Sequence, residues 1–124
     1  MARTTTDLAT EVMRLPNWIA QHETPDAADD AHIKRIYADW HAYAQEQERD
    51  VVYWGAADDI PNAAFLAIVR IIADLCGPSF GDPAPVEIDV ETGMQVSMGK
   101  KGWNMLRRLT SVEASGLSAA GTYF

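Results

Sequence analysis

One segment of this chain, from Pro61 to Gly77, is apolar enough to constrain the whole fold. Its apolar side chains recur at helical spacing, and only Arg70 and Asp74 interrupt them. Pro61 suits the first helical position, which needs no backbone N–H, and Gly77 followed by Pro78 predicts the end. A helix of this composition must be covered on most sides, so we expect it to be the central element of a small bundle. The recurring residues are Ala64, Phe65, Ile68, Val69, Ile71, Ile72 and Leu75.

The first predicted helix runs from about Thr6 to Leu15 and stops at Pro16. Thr5 or Thr6 is the expected N-cap, since a threonine hydroxyl can accept a hydrogen bond from the first turn. The connector that follows carries Trp18, which is expected to fold back onto the core. The apolar stripe of this helix consists of Leu8, Val12 and Leu15.

A longer second helix is predicted from Pro25 to about Glu48, with Thr24 as its N-cap. The acidic residues of its first turns suit the positive end of the helix dipole. Its apolar residues follow the spacing of one helix face, so this helix is expected to cover the central one. They are Ile33, Ile36, Tyr37, Trp40, Tyr43 and Ala44.

The pattern changes after Gly81. Residues 86–109 predict a fourth helix, although three glycines in this range each cost about 1 kcal/mol relative to alanine in a helix. Trp103 to Leu109 is the strongly helical part, and residues 86–102 are compatible with either a helix or a strand. The side chains that would suit a strand are Val86, Ile88, Val90 and Val96.

The chain is therefore expected to be one all-α domain, a small bundle of three to four helices with an extended, flexible C-terminal arm. Residues 1–85 would form the helical core, and residues 86–124 the C-terminal helix and arm. The last part, Thr110 to Phe124, is small and polar, so we expect it to be flexible when the protein is alone.

The net charge of −8 is unevenly distributed along the chain. Residues 1–85 contain fourteen acidic and six basic side chains, whereas residues 86–124 contain four of each. The acidic body should repel nucleic acid, which disfavours a protein that binds DNA by reading its sequence. The basic residues of the C-terminal part would form a solvated face or would orient docking onto an acidic partner. They are Lys100, Lys101, Arg107 and Arg108.

Reactive side chains do not form a recognisable site in the sequence. His32 and His41 are predicted on opposite sides of one helix, and His22 has no ligand-like spacing to either. The acidic cluster at residues 26–30 is explained by a helix N-terminus. Cys76 ends an apolar helix, where a buried structural thiol is the expected role. We therefore expect no enzymatic activity, no metal and no cofactor.

Three features favour a protein that folds in a reducing cytoplasm without a membrane. The single cysteine provides no disulfide framework, and the N-terminus lacks the apolar region of a secretory signal. No apolar run reaches the roughly 18 to 20 residues of a membrane span.

Several aromatic residues lie near the ends of predicted elements. We expect Trp18, Trp40 and Trp54 to belong to the core. For the aromatic residues of the C-terminal third, core and interface are equally supported, because aromatic residues beside arginine are typical interface anchors. These residues are Trp103, Tyr123 and Phe124.

The order of these elements resembles the small all-helical head-to-tail connectors of tailed bacteriophages, also called adaptor or head-completion proteins. The resemblance covers about residues 4–81 and depends on order and pattern; the C-terminal third departs most from it. The matching features are the opening helix at Thr6–Val12, the acidic-start helix with Asp39 and Trp40, the link with Asp58–Pro61, and the apolar helix ending in Gly77–Gly81.

The resemblance implies a structural role in the virion or in a phage-like gene transfer particle. Such connectors form rings, typically of about twelve subunits, beneath the portal protein. They extend the DNA channel without reading its sequence, and they carry the tail or a stopper or nozzle protein. The protein would be assembled in the host cytoplasm and located at the neck. The residues expected to contact the portal or a neighbouring subunit are Lys100, Lys101, Trp103, Arg107, Arg108, Tyr123 and Phe124.

A second class of function is open at this point, namely a small acidic cytoplasmic binding module such as an inhibitor or immunity-type protein. The net charge of −8 supports this class, because such proteins can mimic nucleic acid. The basic residues between 100 and 108 do not support it. A binding module of this kind would engage one partner at low stoichiometry and would not form rings.

Overall fold

The computed structural model describes residues 3–81, 85–89 and 92–121, with side chains as far as Leu109. Within these residues the chain forms a small helical bundle with one short antiparallel hairpin, so the predicted all-α fold class is confirmed. In chain order the elements are α1 (Thr5–Arg14), α2 (Ala27–Gln47), α3 (Asn62–Phe80), β1 (Glu87–Ile88), β2 (Gln95–Val96) and α4 (Met98–Gly121).

The N-terminus of α1 is fixed by a reciprocal pair of hydrogen bonds. Thr4 is the N-cap, and its hydroxyl accepts from the backbone N–H of Asp7 while the Asp7 carboxylate accepts from the N–H of Thr4. The predicted cap at Thr5 or Thr6 is therefore wrong. Thr5 instead donates its N–H and hydroxyl to Asp58 Oδ1, at 3.0 and 2.9 Å. These two bonds tie the start of α1 to the connector before α3.

The start of α2 also differs from the prediction. Asp26 is the N-cap, and its side chain accepts from the backbone N–H of Asp29 at 2.9 Å. The helix therefore begins at Ala27, and the predicted cap at Thr24 and start at Pro25 are wrong. An aspartate side chain placed to bond the first turn determines the start here. The end of α2 agrees with the prediction.

α3 is longer than its sequence pattern indicates. Pro61 is the N-cap rather than the first helical residue, and the predicted end at Gly77 is wrong, because the helix continues through Pro78 to Phe80. Pro78 lies in the last turns, where its missing N–H removes only one helical hydrogen bond. The helix ends at Gly81, which has a φ of +68° and donates its N–H to the carbonyls of Gly77 and Pro78.

α3 is the central element of the bundle, as the sequence predicts. It packs against α1, α2 and α4, most extensively against α4. With a mean hydropathy of 1.7, α3 is by length and composition the one helix among the described residues that could cross a membrane. However, 56% of its apolar window is buried inside the protein, and the central helix of a bundle meets the same criteria. Its buried side chains include Phe65, Ile68, Val69, Ile71, Ile72 and Cys76.

A β-hairpin precedes the last helix, so the prediction of one helix from residue 86 is wrong. In the hairpin Glu87 pairs with Val96 and Ile88 pairs with Gln95. The question left open for residues 86–102 is thus answered by two short strands followed by a helix that begins at Met98. Val90, which also suited a strand, lies outside the described residues.

Two glycines that weaken the helical pattern of α4 allow it to approach α3 closely. A Cβ atom added to Gly102 would lie 2.5 Å from the carbonyl oxygen of Ala67, and one added to Gly99 would lie 2.5 Å from Asp74 Oδ2. Because the Ala67 carbonyl belongs to the backbone of α3, glycine is needed at residue 102, whereas the Asp74 carboxylate near Gly99 is the end of a side chain that can turn away. Helix propensity is here outweighed by tertiary contact.

The C-terminal third belongs to the same hydrophobic core as the first three helices. Met98 and Leu106 of α4 are buried in the cluster that α1, α2 and α3 form. The helical backbone continues to Gly121, through most of the segment predicted as an arm. Tyr123 and Phe124 lie outside the described residues.

Candidate functional site

An open groove of about 720 Å³ lies between α2, α3 and α4. Each of the three helices supplies apolar side chains to it, and α4 approaches α3 there through Gly99. The groove therefore depends on the packing of the whole bundle rather than on one loop. Its apolar lining consists of Ile36, Trp40, Tyr43, Ile71, Leu75 and Trp103.

The groove combines a buried aromatic base with exposed apolar sides. Trp40 is 7% exposed, and its ring centroid lies 5.6 Å from that of Trp103. The indole N–H of Trp40 is buried without a hydrogen-bond partner. Tyr43 and Leu75 are 62% and 49% exposed. Large apolar side chains left in solvent beside an aromatic base are typical of a surface that another molecule covers.

Charged side chains surround this apolar lining in equal numbers. Asp39 from α2 and Asp74 from α3 provide two acidic groups, and Lys100 and Arg107 from α4 provide two basic ones. The formal charge of the groove is therefore zero, on a chain whose net charge is −8.

Arg107 is held in place at the groove by two neighbours. Its guanidinium lies 4.9 Å from the ring centroid of Trp103, and one of its terminal nitrogens lies 2.9 Å from Glu48 Oε1. The stacking and the ion pair orient the planar guanidinium over the indole. Arg107 therefore links the end of α2 to α4.

The other two basic residues of α4 face the hairpin instead of the groove. Lys101 Nζ lies 3.4 Å from Glu87 Oε2, and Arg108 lies 3.7 Å from Asp89 Oδ1. Helical residues advance by about 100° each, so residues adjacent in the sequence face different sides. The four basic residues predicted as one stretch consequently form two pairs on two surfaces.

The acidic side chains of β1 point toward the helices. Glu87 also pairs with Arg70 of α3, whose Nε lies 3.0 Å from its carboxylate. Asp89 is only 5% exposed, and it accepts a hydrogen bond of 3.1 Å from the side chain of Asn104. These contacts hold the inner face of the hairpin against α3 and α4.

The opposite face of the hairpin is apolar and exposed. Val86 and Ile88 alternate with Glu87, which is half-buried, and Asp89, which is buried, and they are 59% and 51% exposed. Gln95 pairs with Ile88 and so shares this face. A strand on the surface of a domain normally turns apolar side chains inward and charges outward, so this hairpin has the inverse arrangement.

The tryptophans expected in the core lie in it or against it. Trp40 and Trp54 are buried, which confirms them as core residues. Trp18 packs against Phe80 with ring centroids 5.0 Å apart, as its expected return to the core requires. Trp103 is half-buried and lies between the core and the groove.

The sequence did not predict the groove, because Tyr43 and Leu75 were both assigned to buried stripes. One signal was present in α2, whose apolar stripe is wider than the core needs. Relative to Ile33, the residues Ile36 and Tyr43 lie about 60° and 80° to one side of the stripe. The groove occupies that side.

Two further titratable side chains, His41 and Cys76, are buried in the core. His41 Nε2 lies 2.9 Å from the carbonyl oxygen of Trp54. Burial raises the pKa of the Cys76 thiol to about 11, so the thiol stays protonated at neutral pH. Among the residues with described side chains, no three His, Cys, Asp or Glu side chains are grouped so that they could hold a metal ion.

Comparisons of this chain with protein-family models, with curated proteins and with solved structures give no match. Function is therefore argued from the groove, the hairpin and the charge distribution. The resemblance in the order of elements supplies the hypothesis to which these features are applied.

Proposed function

We propose that this chain is a structural subunit of the head-to-tail connector of a tailed phage or phage-like gene transfer particle. In this proposal it forms a ring between the portal protein and the tail and extends the DNA channel. The proposal rests on the order of the first three helices, and one structural observation carries it further. That observation is the open apolar groove between α2, α3 and α4.

The groove supports a function in binding another protein. Its exposed side chains include Tyr43 and Leu75, and its base includes two tryptophans in tilted contact, Trp40 and Trp103. Tryptophan, tyrosine and arginine are the residue types that contribute most to protein–protein binding energy. An apolar groove of this kind is stabilised when a partner excludes water from it.

The charge distribution supports a position around a DNA channel. A subunit with a net charge of −8 offers few phosphate contacts, so DNA would pass without being retained. Electrostatic repulsion between such subunits must be outweighed by apolar contacts at their interfaces. Repetition of a weak contact around a ring gives a stable assembly.

Of the residues expected to contact the portal or a neighbouring subunit, Lys100, Trp103 and Arg107 lie on the groove side of α4, where a neighbouring subunit would bind. Portal binding is assigned to the C-terminal segment, where Tyr123 and Phe124 follow the described part of α4. Lys101 and Arg108, which were grouped with them on sequence, would act indirectly by orienting the hairpin.

Co-expression with the portal protein of the same particle tests the proposal. We expect the chain to co-sediment with portal rings at a stoichiometry of one chain per portal subunit. Removal of residues 110–124 should release the chain from the portal, with circular dichroism as the control for folding.

If the truncated chain binds the portal as well as the full chain does, the C-terminal segment has no role in portal binding. A soluble complex with a single non-portal protein, one chain to one partner, would instead favour an acidic inhibitor or immunity-type module. The net charge of −8 is the observation that keeps this second function under test.

A further inference from the structure

We propose that the exposed face of the β1–β2 hairpin of one copy docks into the α2–α3–α4 groove of the next copy. This inference rests on the proposed function, because it names the contact through which the ring would be built. The occupant of the groove is thus a second copy of this chain. The docking face is formed by Val86 and Ile88, with Gln95 opposite Ile88.

The outer face of the hairpin exposes apolar side chains because the contacts of its inner face fix its orientation. The acids Glu87 and Asp89 are drawn to α3 and α4 by Arg70, Lys101, Asn104 and Arg108. Since side chains alternate along a strand, this arrangement turns Val86 and Ile88 outward. The ion pairs on the inner face of the hairpin therefore keep its apolar outer face exposed to solvent.

The hairpin cannot fill the groove of its own chain. On α4 the groove is lined by Lys100, Trp103 and Arg107, whereas the hairpin is held by Lys101 and Arg108. At about 100° per residue these two sets point roughly 120° apart around the helix. The hairpin therefore lies on another side of α4, and the groove is left to a different molecule.

A second copy suits the groove because neither surface carries a net formal charge. The groove lining has two acidic and two basic side chains, of which Arg107 pairs with Glu48, and the described outer face of the hairpin carries no charged side chain. On a chain with a net charge of −8, these are surfaces that two copies can bring together without repulsion. Both surfaces also bring apolar area to the contact.

A contact between two different surfaces has a geometric consequence. Each copy presents one hairpin and one groove, so every bound copy leaves one of each available for further copies. Such a head-to-tail contact closes into a ring when the rotation between copies allows it. A contact between two identical surfaces would stop at a dimer.

Sedimentation of the purified chain over a wide concentration range tests the inference without the portal. We expect the wild-type protein to form species larger than a dimer at high concentration. Ile88→Lys on the hairpin and Leu75→Lys in the groove should each weaken self-association by about tenfold or more, because a buried unpaired ammonium group opposes the contact. Both side chains are about half exposed in the single chain, so each variant should fold.

Leu66→Lys provides the matched control. Leu66 lies on α3, as Leu75 does, and it is 60% exposed. At about 100° per residue it points away from the side of α3 that lines the groove. The same substitution there should leave self-association unchanged.

Mixing the two defective variants distinguishes this contact from every symmetric one. Ile88→Lys retains an intact groove and Leu75→Lys retains an intact hairpin, so an equimolar mixture should form dimers and nothing larger. A wild-type chain that stays monomeric, a mixture that stays monomeric, or an equal effect of Leu66→Lys would overturn the inference. Self-association without portal binding would support this contact between copies and would contradict the proposed connector function.

Discussion

At the scale of single residues, Tyr37 connects the second helix to the segment that leads into the third. Its hydroxyl donates to the carbonyl of Ala57 at 2.7 Å and accepts from the indole N–H of Trp54 at 3.1 Å. The side chain is fully buried, and burial raises the pKa of Tyr37 to about 12. The neutral hydroxyl is therefore the form that the folded protein stabilises.

We expect Tyr37→Phe to lower the free energy of unfolding by about 1–3 kcal/mol, because it leaves the Trp54 N–H buried without an acceptor. The raised pKa adds a pH signature, since a tyrosine whose folded pKa exceeds its unfolded value stabilises the fold below about pH 10. That stability is lost as the pH rises toward 12. Urea titrations at neutral and alkaline pH measure both effects. A variant as stable as the wild type would contradict the role of the hydroxyl.

Asp58 affects the stability of the fold at acid pH, whereas Tyr37 affects it at alkaline pH. Hydrogen bonds from the backbone N–H and then the hydroxyl of Thr5 hold the pKa of Asp58 below its ordinary value. A lowered pKa means that the carboxylate stabilises the fold above its unfolded pKa of about 3.9, and that this stability is lost as the pH falls through the folded value. Asp58→Asn should therefore flatten the acid limb of thermal stability measured against pH. An unchanged acid limb would show that this contact contributes nothing.

At the scale of secondary-structure elements, the contact between α3 and α4 depends on a glycine. A methyl group at Gly102 would meet the Ala67 carbonyl and the Ile71 side chain, at 2.5 and 2.7 Å. We expect Gly102→Ala to destabilise the protein by about 1–3 kcal/mol, because overpacking outweighs the better helix propensity of alanine. At Gly55 the added methyl would meet nothing within 4 Å, so Gly55→Ala serves as the control. Thermal unfolding measures the difference, and equal stabilities would contradict the close approach.

The central helix could be predicted because its composition alone requires burial, but its end could not. Gly77 and Pro78 are a common stop signal, yet the helix ends only at Gly81, where the left-handed turn occurs. The signal at Pro78 is weak because a proline in the last turn costs only one hydrogen bond. Local sequence rules therefore located the element and misplaced its end.

The hairpin and the groove could not be predicted for a different reason. Each strand is two residues long, too short for an alternation to be recognised. The outward direction of Ile88 follows from the ion pairs of Glu87 and Asp89, which depend on where α3 and α4 place Arg70 and Arg108. The exposure of the groove likewise depends on how three helices meet. Periodicity defines the apolar side of each helix, whereas packing decides which part of it stays in solvent.

At the scale of the whole molecule, two apolar surfaces are held on different sides of an acidic chain. The groove is neutral, the described outer face of the hairpin is uncharged, and the net charge of the chain is −8. Association of copies through these surfaces would bury apolar area while the acidic surfaces stay solvated. The proposed contact between neighbouring copies would build the ring that the proposed connector function requires.

An electron cryo-microscopy structure of the chain with the portal protein proposed as its partner tests this account most directly. The account predicts a closed ring in which Val86 and Ile88 of each subunit lie in the groove beside Trp103 of the next. A portal without a bound ring, or bound subunits whose hairpins stay in solvent, would contradict it.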